Sequence, residues 1–85
     1  MTKVTIYTTP ICPYSAMAKR LLAGKAAAFE EIDVSRDASS REALVAKSGG
    51  RRTVPQIWIG DRHVGGCDEL YALDRGGELD RLLAA

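Results

Sequence analysis

A strand, a helix and a second strand follow one another in the first 34 residues, and this succession restricts the topology more than any other feature of the chain. Lys3-Val4-Thr5-Ile6-Tyr7-Thr8 is β-branched and aromatic and reads as a strand. Thr9, Pro10 and Ile11 interrupt it. From Pro13 the period changes: Met17, Ala18, Leu21 and Leu22 recur at helical spacing, and Lys19, Arg20 and Lys25 are left for water. Gly24 is the first plausible stop, and Ala26-Ala27-Ala28 reads as a tight connection to a second strand, Phe29 to Val34. Two strands joined by a helix of about a dozen residues form a βαβ unit, so they are expected to be parallel with a right-handed crossover.

The second half of the chain reads differently. Ser39 and Glu42 have the spacing of a capping box, which predicts a helix over roughly Ser40 to Lys47, ended by Gly49-Gly50. Val54 to Ile59 is a third strand with Pro55 at its beginning, because proline cannot donate inside a ladder. Gly60-Asp61 makes a turn into a short fourth strand, Arg62 to Val64, and the two strands should form a hairpin. Asp68 and Glu69 open a third helix with an acidic first turn that suits its dipole; Gly76-Gly77 breaks it, and Glu78 to Ala84 forms a last short helix. The class is α/β, and 85 residues hold one domain, 1–85, with no room for a second core. At 46% hydrophobic and 27% charged residues the chain can bury a core, and a net charge of +1 lacks the basic surplus that nucleic acid or an anionic membrane would demand. No stretch approaches the ~20 apolar residues of a bilayer span, and the N-terminus enters a strand pattern at once, without a signal peptide. Two cysteines are too few for a disulfide scaffold or a four-cysteine zinc site, so no metal is expected and the cytoplasm is the default compartment.

Chemistry concentrates at Cys12-Pro13-Tyr14-Ser15, directly after the first strand and opening the first helix. Pro13 suits a first helical turn, where its missing N–H costs nothing. A thiol at that point meets the positive end of the helix dipole and unpaired N–H groups, both of which favour thiolate. Cysteines so placed ionise at about 3.5–7.5, against about 8.5 when unperturbed. The bland alternative, a small buried apolar cysteine, does not need the strand–Cys-Pro–helix context.

Four segments in order, Ile6-Tyr7-Thr8, Cys12-Pro13-Tyr14, Thr53-Val54-Pro55-Gln56-Ile57 and Gly65-Gly66-Cys67-Asp68-Glu69-Leu70, resemble the glutaredoxin family over essentially the whole chain. The resemblance implies a thioredoxin fold: a four-stranded mixed sheet flanked by helices. It implies a glutathione-dependent thiol–disulfide oxidoreductase with glutathione as cosubstrate and Cys12 as nucleophile, flanked by Pro13, Tyr14 and Ser15. It implies that Thr53, Val54 and Pro55 form a loop with a cis Val54–Pro55 bond whose backbone pairs with the cysteinyl part of glutathione. Gly66, Cys67 and Asp68 would receive the γ-glutamyl end, its carboxylate on helix-start N–H groups and its ammonium on Asp68. Arg52, beside that loop, is expected to serve the glycyl carboxylate, since Thr9 stands where many relatives carry a lysine; Arg51 reads as a solvated charge.

Dithiol members have a second cysteine where this chain has Ser15. The chain is therefore either a naturally monothiol member or a Cys-to-Ser variant of a dithiol one, and the sequence leaves both open. Reduction of protein–glutathione mixed disulfides needs one protein cysteine only. The alternative function is a glutathione-assisted [2Fe–2S] carrier, in which two protomers give one cysteine each; Ser15 favours it, and Pro13 counts against it, because typical carriers have glycine after the cysteine. Expected partners are glutathione and glutathionylated or disulfide-containing proteins, acting on a monomer. Cys67 reads first as a spectator thiol and His63 as a strand-surface residue; the sharper reading makes Cys67 a partner for Cys12.

Overall fold

The computed structural model describes residues 2–85. Val4–Thr8 (β1) is buried at every position, which fits its place inside the sheet rather than at an edge. Phe29–Asp33 (β2) lies parallel beside it, with Val4 opposite Phe29, as the βαβ reading requires. On the other side Gln56–Ile59 (β3) runs antiparallel, with Ile6 opposite Ile57, and Arg62–Gly65 (β4) completes the hairpin. The order β2-β1-β3-β4 is the mixed four-stranded sheet expected of a thioredoxin fold.

Alternation along the strands sorts the core into two layers. Val4, Ile6, Ile57 and Ile59 pack with Ala18 and Leu22 of Pro13–Gly24 (α1), Leu70 of Cys67–Arg75 (α3), and Leu79 and Leu83 of Glu78–Ala84 (α4). Tyr7 and Trp58 face the other way, against Val34 and Leu44, the latter from Ala38–Lys47 (α2). Each fully buried leucine contributes roughly 1.5–3 kcal/mol by leaving water, so these layers fix which end of the sheet α1 and α3 present. Among the described residues no helix is long and apolar enough to cross a membrane.

Several boundaries depart from the expected ones. Helix α2 starts at Ala38 because Asp37, not Ser39, caps it: the Asp37 carboxylate accepts the Ser40 N–H at 2.7 Å, and the Ser39 hydroxyl donates to the same carboxylate at 2.8 Å. A full negative charge at the positive helix end outcompetes a hydroxyl for the free N–H groups. Strand β3 begins at Gln56 rather than Val54, because the Val54–Pro55 bond is cis and turns the chain there. Strand β2 stops at Asp33, although the Val34 N–H still reaches the Thr8 carbonyl at 2.9 Å. Between β3 and β4 the register slips: Ile57 faces Gly65 but Trp58 faces His63, leaving Val64 as the extra residue of a bulge.

Candidate active site

Cys12 is the N-cap of α1, with extended backbone angles (φ −100°, ψ 112°), and Pro13 supplies the first helical turn. The Cys12 carbonyl accepts the Ala16 N–H at 3.1 Å, leaving the N–H groups of the first turn unpaired around the sulfur. In the thiol form Sγ donates to the Val54 carbonyl at 3.7 Å, which places the sulfur against the cis-proline loop. Partial burial pushes the thiol up, but the Ser15 hydroxyl and the N–H groups of Ser15 and Tyr14 outweigh it, and Cys12 ionises below the ordinary cysteine range. Ser15 is only 1% exposed, and its hydroxyl is the one buried side-chain oxygen or nitrogen among the described residues that lacks a hydrogen-bond partner. A thiolate at Cys12 gives that hydroxyl an acceptor, so ionisation relieves a buried orphan as well as meeting the helix dipole.

A cleft of about 160 Å3 opens beside the sulfur, between the 53–55 loop and the start of α3. Thr53, Val54 and Pro55 form one wall, Gly66, Cys67 and Asp68 the other, and Tyr14, 58% exposed, stands at the mouth. The walls approach closely because glycines permit it. A Cβ on Gly66 would sit 3.3 Å from the Pro55 carbonyl, and Gly65 has a left-handed φ of 112° with Glu69 Oε1 only 2.5 Å from where its Cβ would be. That carboxylate accepts the Gly66 N–H at 2.8 Å and lies 3.6 Å from the Arg51 guanidinium; the backbone donor draws the Glu69 pKa down, with Arg51 assisting. The N–H groups of Cys67 and Asp68 belong to the first turn of α3, where the helix offers them no partner, and both residues line the cleft, a ready place for a carboxylate. Among the described residues no three histidine, cysteine or acidic side chains gather to hold a metal ion.

The expected site residues therefore converge, with one exchange. Arg51, read as solvated, lines the cleft; Arg52 does not, and instead lines a separate groove along α2 with Arg41 and Val45, its carbonyl held by the Arg41 guanidinium at 2.9 Å. Two other residues at the site escaped sequence reasoning. Gln56 is fully buried, its amide donating to the Thr53 hydroxyl oxygen at 3.1 Å and its Oε1 2.7 Å from His63 Nε2. In sequence Glu69 signals only an acidic helix start; in the structure its carboxylate caps the Gly66 N–H. A glutamine between Pro55 and the apolar run Ile57-Trp58-Ile59 was the available signal, since a polar side chain in a buried strand must find partners. Cys67 is 6% exposed, and burial first, then the charges of Asp68, Cys12 and Glu69, push its thiol up.

With this geometry in place, comparison with known proteins is decisive. The Glutaredoxin family profile matches residues 4–64. The chain is 53% identical over 85 residues to a glutaredoxin of Pseudomonas aeruginosa, covering 100% of both chains. It superposes on the solution structure of a Brucella melitensis glutaredoxin with a TM-score of 0.85 at 57% identity, covering 98% of this chain and 89% of that one. A buckwheat glutaredoxin–glutathione complex gives a TM-score of 0.88 at 28% identity, covering 98% of this chain and 77% of that one. The family profile spans most of the chain and the relatives match it nearly end to end, so the chain belongs to the glutaredoxin family of glutathione-dependent oxidoreductases.

Proposed function

We propose that this glutaredoxin reduces protein–glutathione mixed disulfides by a monothiol route through Cys12. The observation that carries the reading is the Cys12 sulfur itself, held at the α1 N-terminus against the Val54 carbonyl with its pKa lowered. The Cys12 thiolate attacks the glutathionyl sulfur; a new S–S bond forms, the old one breaks, and the protein substrate leaves as a thiolate that takes a proton from water. A second glutathione, as thiolate, attacks the glutathionyl sulfur now on Cys12. Cys12 leaves as thiolate and oxidised glutathione departs. A low thiol pKa serves both as supply of nucleophile and as leaving-group quality.

The cleft suits the glutathionyl group along its length. The Val54 backbone offers strand-like pairing to the cysteinyl unit, with Thr53 and Pro55 fixing the loop. The γ-glutamyl carboxylate meets the N–H groups of Cys67 and Asp68 beyond Gly66, and the Asp68 carboxylate meets the ammonium. Arg51, in place of Arg52, faces the glycyl carboxylate. That a buckwheat glutaredoxin of the same fold is known in complex with glutathione supports glutathione as the ligand. Residues 1–85 act as one domain, a monomer in the cytoplasm, on glutathionylated or disulfide-bonded proteins.

Intact mass after incubation with oxidised glutathione tests the core of this reading. One glutathione adduct is expected on the native chain and none on Cys12→Ser; an adduct that survives Cys12→Ser would overturn it. Ser15→Cys tests the monothiol element: preformed adduct should persist in glutathione-free buffer on the native chain and collapse to a Cys12 disulfide in the variant.

The second reading, a [2Fe–2S] carrier dimer, is favoured by one observation: Cys12 has a hydroxyl rather than a thiol as its buried neighbour at Ser15. The chain gathers no metal-ligand set of its own among the described residues, so two protomers and two glutathiones would have to supply the four thiolates. A brown sample after anaerobic purification with glutathione supports the carrier, and a colourless one the enzyme.

A further inference from the structure

Gln56 is the least expected residue in the molecule: a fully buried carboxamide on β3 between the cleft and the hairpin. A carboxamide is directional, with an acceptor at one end and a donor at the other, so whichever end one neighbour takes decides what the other neighbour receives. On one side stands His63, whose Nε2 is 2.7 Å from Gln56 Oε1. The ring is not free to turn away. The bulge at Val64 sets His63 opposite Trp58, and the two rings stack at 4.4 Å and 15°. Lys47 Nζ lies 4.5 Å from the Trp58 ring centre, and Tyr7 meets the indole edge-on at 5.3 Å. Facing an oxygen, Nε2 carries the proton; the partner determines the tautomer. Gln56 Oε1 therefore accepts, and its amide group points to the other neighbour, Thr53, donating to Oγ1 at 3.1 Å.

The consequence falls on Thr53, which is exposed and lines the cleft. A hydroxyl has one proton. With Oγ1 already accepting from Gln56, that proton is left for the open side. Without the relay the hydroxyl could equally donate inward and offer the cleft only lone pairs. We propose that His63 and Gln56 are positioning residues that hold the Thr53 hydroxyl as a hydrogen-bond donor toward an anionic or carbonyl oxygen of the bound glutathionyl group. The inference rests on the glutathione reading above and adds to it the polarity of one wall. It also explains why a strand otherwise apolar carries a buried glutamine, whose partners would be pointless for packing alone.

Steady-state kinetics with a glutathione mixed-disulfide substrate, beside melting curves, test the proposal. Thr53→Val keeps the shape and removes the donor. Gln56→Glu replaces the amide by an acceptor and draws the Thr53 proton inward. Both should raise KM roughly tenfold with kcat within about twofold, the pattern of lost ground-state and transition-state binding together. Thr53→Ser, which keeps the hydroxyl, should restore native KM within about twofold. The double variant should be no worse than either single one, because both remove the same bond. Native KM in Thr53→Val, a change at an exposed position that does not threaten folding, would overturn the proposal. So would additive effects in the double variant, or a folded Gln56→Glu with native KM. Absence of turnover in the native chain would instead overturn the glutathione reading, and the relay would then have no ligand to orient.

Discussion

Helices α1 and α3 each begin with a cysteine, Cys12 as N-cap of the first and Cys67 as the first residue of the second; Cys67 lines the cleft, and the Cys12 sulfur lies against the carbonyl of Val54 in its wall. Their thiols are displaced in opposite directions, Cys12 down and Cys67 up. The two helix dipoles have the same sign, so the dipole alone does not make a nucleophile. The difference lies in what the neighbours do with the free N–H groups. The first turn of α1 has no acidic residue, and the N–H groups of Tyr14 and Ser15 are left to the sulfur. The first turn of α3 carries Asp68 and Glu69, and Glu69 folds back onto the Gly66 N–H, so negative charge already occupies that helix end. Cys67 is also more deeply buried, which disfavours its thiolate first of all. One helix start leaves its N–H groups to its own cysteine; at the other, acidic side chains already stand in that place.

Breaking one side alone is the strongest test. Gly65→Ala puts a side chain at a left-handed φ of 112° and into Glu69 Oε1, so it should cost about 2–4 kcal/mol of stability in urea titrations. Alkylation of Cys12 in the remaining folded protein should stay within about twofold, since the groups that favour its thiolate, from Tyr14 and Ser15, belong to α1 itself. A collapse of Cys12 reactivity at full folding would mean that the two helix starts are not independent.

With iodoacetamide at pH 7, Cys12 should react at least ~10 times faster than Cys67, followed by peptide mass spectrometry. The sign across pH follows from the two displacements: the Cys12 rate levels off below the ordinary cysteine midpoint, and the Cys67 rate is still rising above it. Equal rates would remove the contrast. Ser15→Ala probes its cause. Loss of the hydroxyl takes a donor from the thiolate and should slow Cys12 alkylation at pH 7 roughly threefold, moving its midpoint upward; an unchanged midpoint would assign the whole effect to backbone N–H groups.

What the sequence made legible divides along the same line. The α1 side is local: strand, cysteine, proline and helical period lie within about a dozen consecutive residues, and each signal points the same way. The parallel pairing of β1 with β2 and the β3–β4 hairpin follow from the same kind of local pattern. The α3 side depends on tertiary approach. Which of Arg51 and Arg52 lines the cleft depends on the path of an irregular loop, and the partners of Gln56 depend on a bulge that moves His63 opposite Trp58. Neither carries a periodic signal. The misplaced start of α2 is a third case, in which two candidate caps, Asp37 and Ser39, lie close together and only their competition for the same N–H groups selects one.

The smallest expected effect isolates the charge at the α3 start. Asp68 is exposed, so its influence on Cys67 passes partly through water and amounts to a few tenths of a kcal/mol to about 1 kcal/mol. Asp68→Asn keeps the shape and removes the charge. Cys67 should then ionise more readily, because a thiolate there no longer meets a carboxylate. Measured in a Cys12→Ser background, which removes the second negative neighbour, its alkylation at pH 8 should rise about twofold. Stability should fall by less than about 1 kcal/mol, since an acidic residue at a helix N-terminus contributes no more than that. A Cys67 rate that does not move would mean that burial alone holds this thiol up, and the two helix starts would then differ in depth rather than in charge.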